Sequence, residues 1–387
     1  MSRRAAIIVL DGVGIGAAAD AAAYGDAGSD TLGNLARAVG GLQLPQLQRA
    51  GLGNIAPLAG VPPVGKPLAA WGMLEPRSAG KDSTTGHWEI AGVRLERPFP
   101  TFPQGFPADV IAEFSRRTGR AVIGNVAGSG TAIIDRFGAE HQRTGDWIVY
   151  TSADSVFQVA AHEGTIPVAE LYAGCAAARA LLVAPNVVAR VIARPFSGTA
   201  GAYLRTSNRR DFSIEPPPTL LDMLAGAGVE RHGVGKVDDL FAGRGIRAVH
   251  TGRNADGIAL IEGWLMRGSG FLFANLVDFD QLFGHRNDVA GFHGALREFD
   301  AALPRLLSHL RDDDLLFLTA DHGNDPTTSS TDHARERVPL LAFGPAVHPV
   351  SLGVRDGFGD LGATVAQWLG APFTGTGRSF LDQIERA

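Results

Sequence analysis

Short apolar runs that end at acidic residues are the most regular pattern along this chain. Three of them, AAIIVL (5–10), FLFANLV (271–277) and LLFLTA (315–320), are continuous, and each is followed at once by Asp. Continuous runs of this length are typical of strands buried on both faces, as in parallel sheets. Helical patterns lie between the runs, and the clearest, at 294–313, repeats Leu and Phe at three- and four-residue spacings. Alternating strands and helices predict an α/β fold.

Acidic and imidazole side chains cluster directly after these three runs. They are Asp11 after the first run, Asp278, Asp280 and His285 after the second, and Asp321, His322 and His333 after the third. Because ligands bind at the carboxyl ends of the strands in open α/β sheets, we expect these side chains to converge. Carboxylate and imidazole together suit Zn²⁺, Mn²⁺ or Fe²⁺, and there are more of them than one tetrahedral ion binds. The pattern predicts two neighbouring ions, an arrangement that serves phosphoryl transfer.

Residues 80–89, GKDSTTGHWE, place three hydroxyl side chains in a row beside charged residues and a histidine. Such a segment is typical of a nucleophile loop, because an activated hydroxyl forms covalent intermediates. We expect Thr85 to cap a helix, which leaves Ser83 and Thr84 open as the nucleophile on chemical grounds alone. His87 is open as well, between a contact to substrate and simple packing beside Trp88.

Composition limits the classes of protein to which the chain can belong. Its 387 residues predict two domains, and 45% hydrophobic content supports a substantial core. A formal net charge of −5 argues against nucleic acid as a partner. The one cysteine, Cys175, excludes a disulfide within the chain and a multi-thiolate metal site. No apolar run is long enough for a membrane span or signal peptide, so we expect a cytoplasmic enzyme with no membrane partner.

Two other interpretations of these segments compete with a metal site. GVGIGA (12–17) matches the dinucleotide pattern G-x-G-x-x-G/A, but a lone match is weak. Asp11 would also place a negative charge beside the pyrophosphate, and no second acid-terminated strand follows. Any single Asp after a strand is equally typical of a turn or a helix cap. The metal prediction therefore depends on the joint pattern.

Seven segments spread over nearly the whole chain resemble one enzyme family. They are LDGVGIG, GDAGSDTLGN, GKDSTTGHWEIAG, VYTSADSVFQVAAHE, RVIARPF, NLVDFDQLFGHRND and LTADHGNDPTTSSTDHARERVPLL. Together they resemble the phosphopentomutases, members of the alkaline phosphatase superfamily. The resemblance implies a metal-binding catalytic core with a central, mostly parallel sheet over 1–98 and 216–387. It also implies an inserted, smaller α/β cap domain over 99–215, with strands near DWIVYTS and VVARVIA.

The resemblance also implies roles for individual residues. It implies two Mn²⁺ ions, one held by Asp11, Asp321 and His322 and the other by Asp280, His285 and His333, while Asp278 either supports a metal ligand or has a structural role. Ser83, directly after Lys-Asp, takes the place of the phosphorylated hydroxyl, where the family usually has Thr. Asp154, Arg190 and Lys236 match positions that contact the sugar or its distal phosphate.

The reaction implied by the resemblance interconverts ribose 1-phosphate and ribose 5-phosphate, and likewise the 2-deoxy sugars. It passes through a phosphoenzyme and a 1,5-bisphosphate, with ribose 1,5-bisphosphate or glucose 1,6-bisphosphate as activator. A metal-dependent phosphatase or a cofactor-independent phosphoglycerate mutase could use the same site, but the segments TSADS and RVIARPF argue against both. A non-catalytic, metal-stabilised binding protein is the alternative from another class.

Overall fold

The computed structural model describes residues 3–152 and 154–385 and divides into two compact units. The first, here called the core unit, comprises Met1–Arg97 and Pro216–Ala387. The second, here called the insertion, comprises Pro98–Glu215. The sequence predicts an inserted domain over nearly the same residues, 99–215.

Strands and helices alternate along both units. The strands are β1 (Arg4–Leu10), β2 (Ala70–Leu74), β3 (Val122–Ala127), β4 (Trp147–Thr151), β5 (Val156–His162), β6 (Arg190–Ser197), β7 (Leu204–Arg205), β8 (Arg210–Ser213), β9 (Arg231–Val234), β10 (Ala248–Val249), β11 (Phe271–Leu276), β12 (Asp314–Thr319), β13 (Val338–Phe343) and β14 (Ser351–Arg355). The helices are α1 (Thr31–Ala38), α2 (Pro45–Ala50), α3 (Leu52–Ile55), α4 (Ser83–Ile90), α5 (Ala108–Thr118), α6 (Gly130–Thr144), α7 (Val168–Leu181), α8 (Leu220–Gly226), α9 (Val237–Leu240), α10 (Asn254–Arg267), α11 (Val289–Leu307), α12 (Gly359–Trp368) and α13 (Leu381–Ile384).

The core unit is built on an eight-stranded sheet with the order β10-β9-β11-β1-β12-β13-β2-β14. Only the two pairings of β13 are antiparallel, so the prediction of a mostly parallel sheet is confirmed. In chain order, the three apolar runs form β1, β11 and β12. In the sheet β1 lies between the other two, all three strands are fully buried, and both pairings are parallel. Their carboxyl ends therefore lie at one edge, which brings the acidic clusters that follow them together.

The longest helix begins earlier than its sequence pattern indicates. The pattern predicts a helix over 294–313, whereas α11 spans Val289–Leu307. Asp288 causes the earlier start, because its side chain accepts a hydrogen bond from the Gly291 N–H and so caps the helix. His293 accordingly lies inside α11.

The insertion has its own sheet and its own apolar core. Six strands pair in the order β3-β4-β5-β6-β7, with β8 against β6, so DWIVYTS and VVARVIA do contain strands. A cluster that includes Phe114, Trp147 and Phe157 fills one face of this sheet, and Cys175 is buried in the same cluster on α7. Burial raises the pKa of the Cys175 thiol, so it behaves as a small apolar side chain. Across the described ranges, no helix is both long and apolar enough to span a membrane.

Candidate active site

The hydroxyl segment forms the start of a helix. Asp82 caps α4, because its carboxylate accepts hydrogen bonds from the Thr85 N–H (3.1 Å) and the Thr85 hydroxyl (2.6 Å). The expectation that Thr85 caps the helix is therefore wrong, since Thr85 lies in the first turn and donates to the true cap. This bond occupies the Thr85 hydroxyl. Ser83 is the first residue of α4.

Helix α4 packs directly against the backbone that follows β12. A Cβ added at Gly86 would lie 2.1 Å from the Asp321 carbonyl oxygen, so only glycine allows this approach. The close packing places the Ser83 Oγ 3.2 Å from His322 Nε2. The glycine of the STTG segment therefore serves to bring the hydroxyl to the acidic edge of the sheet.

The first group of ligand atoms comes from Asp11, Asp321 and His322, and all three atoms lie within 4.8 Å of one another. His322 Nε2 is 3.4 Å from an oxygen of Asp11 and 3.4 Å from an oxygen of Asp321. The other ring nitrogen, Nδ1, lies 3.0 Å from the Gly323 carbonyl, which can only accept a hydrogen bond. Nδ1 therefore carries a proton, and Nε2 faces the carboxylates.

The second group surrounds Asp280. Its Oδ1 is 3.4 Å from His333 Nε2, and its Oδ2 is 3.3 Å from His285 Nε2. His285 Nδ1 donates to the Thr331 carbonyl at 2.6 Å, so here too Nε2 faces the carboxylate. Backbone contacts of this kind orient metal-ligating histidines.

His322 lies close to members of both groups. Ligand atoms of Asp280, His322 and His333 also lie within 4.8 Å of one another, and the rings of His322 and His333 are 4.2 Å apart. The structure thus brings together all six side chains that the sequence predicts as metal ligands. It does not divide them into two sets, so the partition between two ions stays a prediction.

Unsatisfied carboxylate oxygens test whether these residues fit a metal ion. Asp11 Oδ1 and Asp321 Oδ2 are buried and accept no hydrogen bond from any described residue. A buried carboxylate oxygen without a hydrogen bond is costly even where the other oxygen of the group has a partner, and a coordinated cation removes that cost. The mixture of carboxylate and imidazole matches the ligands of first-row transition metals. The residues therefore fit a metal site.

The same carboxylates raise the pKa values of two basic side chains, His322 and Lys236. Burial by itself lowers the pKa of His322, but Asp321, Asp11 and Asp280 outweigh it and raise that pKa to about 10. Burial likewise lowers the pKa of Lys236, and Asp11, Asp280 and Asp321 again raise it overall. Both shifts show that this edge of the sheet strongly attracts positive charge.

Lys236 lies at the hydroxyl of Ser83. Its Nζ is 2.6 Å from Asp11 Oδ2 and donates to the Ser83 Oγ at 3.1 Å. The resemblance assigns Lys236 to the sugar or its distal phosphate. In the structure its charge lies at this hydroxyl and at the candidate ligand Asp11, and a contact to the sugar or its distal phosphate stays a prediction.

The glycine motif at 12–17, directly after β1, packs against residues at the carboxyl edge of the sheet and does not form a dinucleotide site. The Gly12 N–H donates to Asp321 Oδ1 at 3.1 Å, and a Cβ at Gly14 would lie 2.2 Å from Glu336 Oε2. Within residues 12–20 the described chain contains no helix, whose N-terminus the pyrophosphate site of that motif requires. The motif's resemblance to a dinucleotide fingerprint is therefore coincidental.

The sequence also predicts roles for Asp278, Asp154 and Arg190, and each of these residues has charged or backbone partners within its own unit. Asp278 accepts a hydrogen bond from the Asn254 N–H at 2.8 Å and so binds the first residue of α10. Within the insertion, Arg190 lies 3.7 Å from Asp154 and 3.4 Å from Asp211. These two predicted substrate residues are neighbours beside β6.

The structure gives positioning roles to His87, whose role the sequence leaves open, and to Arg335, for which the sequence predicts none. His87 is fully buried, and its Nδ1 donates to the Ser83 carbonyl at 2.9 Å and lies 3.1 Å from Asp321 Oδ2. His87 therefore links α4 to Asp321, one of the candidate metal ligands. Arg335 donates to the carbonyls of Ser78 and Gly80, and it holds the loop before Asp82.

Comparison with known proteins decides the family. The sequence pattern of the metalloenzyme superfamily matches residues 3–372. The chain is 54% identical to the phosphopentomutase of Desulfitobacterium hafniense (strain DSM 10664 / DCB-2), over 99% of this chain and 100% of that protein. It is 56% identical to the phosphopentomutase of Anaeromyxobacter sp. (strain K), over 100% of both. The chain belongs to the phosphopentomutase family. As a phosphopentomutase it is an isomerase that transfers a phosphoryl group, and its ligand groups support a metal cofactor.

Two solved structures share the fold of this chain at low sequence identity. Leishmania mexicana phosphoglycerate mutase aligns with a TM-score of 0.51 at 13% identity, over 98% of this chain and 97% of that one. The PH0037 protein of Pyrococcus horikoshii aligns with a TM-score of 0.52 at 15% identity, over 97% and 100%. At such identities the likeness shows the fold alone, and it confirms the predicted alkaline-phosphatase-like core. The rival interpretation as a phosphoglycerate mutase has no support beyond this shared fold.

Glu336 is expected to make the stability of the folded protein fall with rising pH. Burial, aided by Asp325 and Asp30, raises the pKa of Glu336 from 4.5 to about 8, against hydrogen bonds from Thr31 that lower it. Between these two pH values the unfolded chain releases the proton while the folded chain keeps it, so the free energy of unfolding decreases as the pH rises. Glu336→Gln should flatten this decrease in urea titrations across that range. Glu298→Gln, at an exposed position, is the control, and an unchanged slope in Glu336→Gln would contradict the assignment.

Proposed function

We propose that the chain interconverts ribose 1-phosphate and ribose 5-phosphate, and their 2-deoxy equivalents, through phosphorylated Ser83 and a sugar 1,5-bisphosphate. One observation carries this proposal: the Ser83 Oγ lies 3.2 Å from His322 Nε2 and 3.1 Å from Lys236 Nζ, at the edge where the carboxylates converge. Thr85 is occupied by its bond to Asp82. Ser83 is therefore the hydroxyl best placed to carry the phosphoryl group.

Two Mn²⁺ ions are the proposed cofactor. Asp11, Asp321 and His322 would hold one ion, and Asp280, His285 and His333 would hold the other. Bound ions at such sites neutralise phosphate oxygens and lower the pKa of an attacking hydroxyl. The unsatisfied oxygens of Asp11 and Asp321 and the Nε2 atoms that face the carboxylates support this assignment.

The chain's own residues account for the transfer itself. In the first half, the bond from phosphorus to the Ser83 Oγ breaks and a bond to the free hydroxyl of the sugar phosphate forms, which gives the bisphosphate. The proton of that hydroxyl ends on the Ser83 Oγ. In the second half the other phosphate of the bisphosphate returns to Ser83 by the reverse exchange. Lys236 supplies positive charge at the Oγ throughout, and the N-terminus of α4 favours the phosphate charge.

A sugar bisphosphate would start the cycle. Ribose 1,5-bisphosphate or glucose 1,6-bisphosphate can donate one phosphate to unmodified Ser83 and leave as a monophosphate. The same chemistry restores the phosphoenzyme whenever hydrolysis removes the phosphate.

Asp154 and Arg190 are proposed to orient the sugar phosphate. An arginine binds phosphate through two parallel hydrogen bonds, which fixes its orientation as well as its position. Asp211 lies 3.4 Å from Arg190 and 2.8 Å from Arg209, so it keeps a cationic partner when Arg190 is replaced. Replacement of Arg190 should therefore change substrate orientation without leaving a buried charge unpaired.

The proposal predicts that the protein converts ribose 1-phosphate to ribose 5-phosphate. In the Asp154→Ala and Arg190→Ala variants, this isomerisation should fall much more than the hydrolysis of phosphorylated Ser83. Phosphorus NMR with Mn²⁺ and a trace of bisphosphate would follow both products and inorganic phosphate. Positioning contributes several kcal/mol to lowering a barrier, so isomerisation should fall by about a hundredfold or more while hydrolysis of phosphorylated Ser83 changes little. The ratio of inorganic phosphate to isomerised sugar should therefore rise in both variants.

A matched control is Arg117→Ala, which removes an exposed arginine from α5 of the same insertion. It should leave the ratio unchanged. Release of inorganic phosphate alone from the unmodified protein would favour a phosphatase. An unaltered ratio and rate in both the Asp154 and Arg190 variants would show that the insertion does not orient the substrate.

A further inference from the structure

A cavity of about 550 Å³ lies in the core unit, apart from the ligand groups described above. It is lined by Arg77, Glu89 and Arg94, and by residues of two later segments, 354–360 and 376–378. Four of its lining side chains are arginines, Arg77, Arg94, Arg355 and Arg378, and we call it the arginine cavity.

The arginine cavity is separated from Ser83 by the length of α4. Glu89, in the last turn of that helix, lines the cavity, and Ser83 begins the helix. Six residues of helix span about 9 Å. None of the six proposed metal ligands lines the cavity, so a ligand bound here would not occupy the reaction centre.

The two buried carboxylates of the cavity are already saturated by hydrogen bonds. Glu89 accepts from the backbone N–H groups of Arg77 (2.9 Å), Ser78 (2.6 Å) and Phe358 (3.0 Å). Asp360 accepts from the Arg355 Nε at 2.8 Å and from the Arg378 backbone N–H at 2.7 Å. These carboxylates have little remaining capacity to accept from the guanidinium groups.

The guanidinium groups keep unused donors. Arg77 pairs with the exposed Asp356, and the Arg94 Nε comes no closer than 3.7 Å to the carboxylate of Glu96. The Arg378 side chain has no hydrogen bond or ion pair with any residue in the described ranges. Each guanidinium carries five N–H donors and no acceptor, so the cavity wall keeps charged donors that its own carboxylates do not occupy.

We propose that the arginine cavity binds a phosphate monoester, with the phosphate group against Arg94 and Arg378. Both side chains are exposed, and a phosphate can take the place of water as the acceptor of their paired N–H groups, whose geometry it matches. The cavity volume falls within the range of about 300–1,000 Å³ that is usual for small-molecule sites, which leaves space for an organic group beyond the phosphate. The ligand is thus a phosphorylated small molecule bound outside the reaction centre.

Hydrogen exchange of the Mn²⁺-loaded protein, with glycerol 3-phosphate and inorganic phosphate as probes, tests the proposal. Glycerol 3-phosphate should protect the backbone of 354–360 and 376–378 saturably, and more tightly than inorganic phosphate does. The Ser83→Ala variant should retain this protection. Loss of charge-assisted hydrogen bonds in the double variant Arg94→Ala/Arg378→Ala should weaken the affinity by about tenfold or more.

Two further variants make the outcome decisive. Arg49→Ala removes an exposed arginine elsewhere on the core unit and should leave the affinity unchanged. Arg378→Lys keeps the charge but loses the paired donors, so its affinity should fall between those of the unmodified protein and the double variant. Equal protection by chloride at matched ionic strength, or the same affinity in the double variant, would overturn the site. Equal affinity for the two phosphate probes would overturn the assignment to a monoester.

Discussion

Ser83→Ala is expected to abolish pentose phosphate isomerisation while the metal content of the protein stays largely unchanged. The Ser83 Oγ lies beside Lys236 and His322, yet Ser83 is not among the six proposed metal ligands. Removal of the hydroxyl leaves no acceptor for the phosphoryl group, so the cycle cannot begin. Fragmentation mass spectrometry of the active protein should place a single phosphate on Ser83.

Neighbouring hydroxyls provide the controls for this prediction. Thr84→Ala deletes the adjacent hydroxyl on the same helix and should keep a phosphate on residue 83. Ser83→Thr should retain substantial activity, because the hydroxyl remains and only a methyl group is added. A phosphate found on Thr84 or Thr85, or isomerisation by Ser83→Ala, would show that the nucleophile is a different residue.

The central strands and their convergence could be predicted because the relevant information is local. Residues 5–10, 271–277 and 315–320 are almost entirely apolar, and a short run of this composition between Gly and Asp residues is typical of strands covered on both sides. Once three such strands are parallel neighbours, the residues after each of them must meet at one edge. The meeting of Asp11 and Asp321 therefore follows from strand composition and topology together.

Helix ends were less predictable, because several nearby residues can cap the same helix. Asp82 and Thr85 both have side chains that suit an N-cap, and only the backbone geometry selects Asp82. Asp288 similarly starts α11 before the apolar pattern becomes regular. In both helices the capping hydrogen bond, and not the spacing of apolar residues, sets the first residue.

Contacts between distant segments could not be predicted from any local pattern. Arg335 binds the carbonyls of Ser78 and Gly80, more than 250 positions earlier in the chain. The sequence STDHARE gives no sign that this arginine is buried, since most arginines are exposed. The contact between Lys236 and the Ser83 hydroxyl was equally unpredictable, because α4 and α9 are distant in the sequence and meet only in the folded core unit.

Asp321→Asn and His333→Ala are each expected to lower turnover by orders of magnitude, and each should remove a different metal ion. Asn keeps an oxygen that can accept the Gly12 N–H, but it loses the negative charge that a cation requires. His333→Ala removes the imidazole whose Nε2 lies 3.4 Å from Asp280. A chelator should abolish the activity of the unmodified protein, and Mn²⁺ should restore it.

Metal analysis separates these effects from a general loss of structure. The unmodified protein should bind two Mn²⁺ with a spin-coupled paramagnetic resonance spectrum, and each variant should bind one with an uncoupled spectrum. Asp278→Asn is the matched control, because this acid lies two residues before Asp280 but binds the Asn254 backbone, so both ions should remain. Full turnover after exhaustive removal of metal would contradict the two-metal proposal. If both ligand variants lost the same ion, the assignment of Asp11, Asp321 and His322 to a separate ion would be wrong, because His322 lies between the two groups and could bridge them.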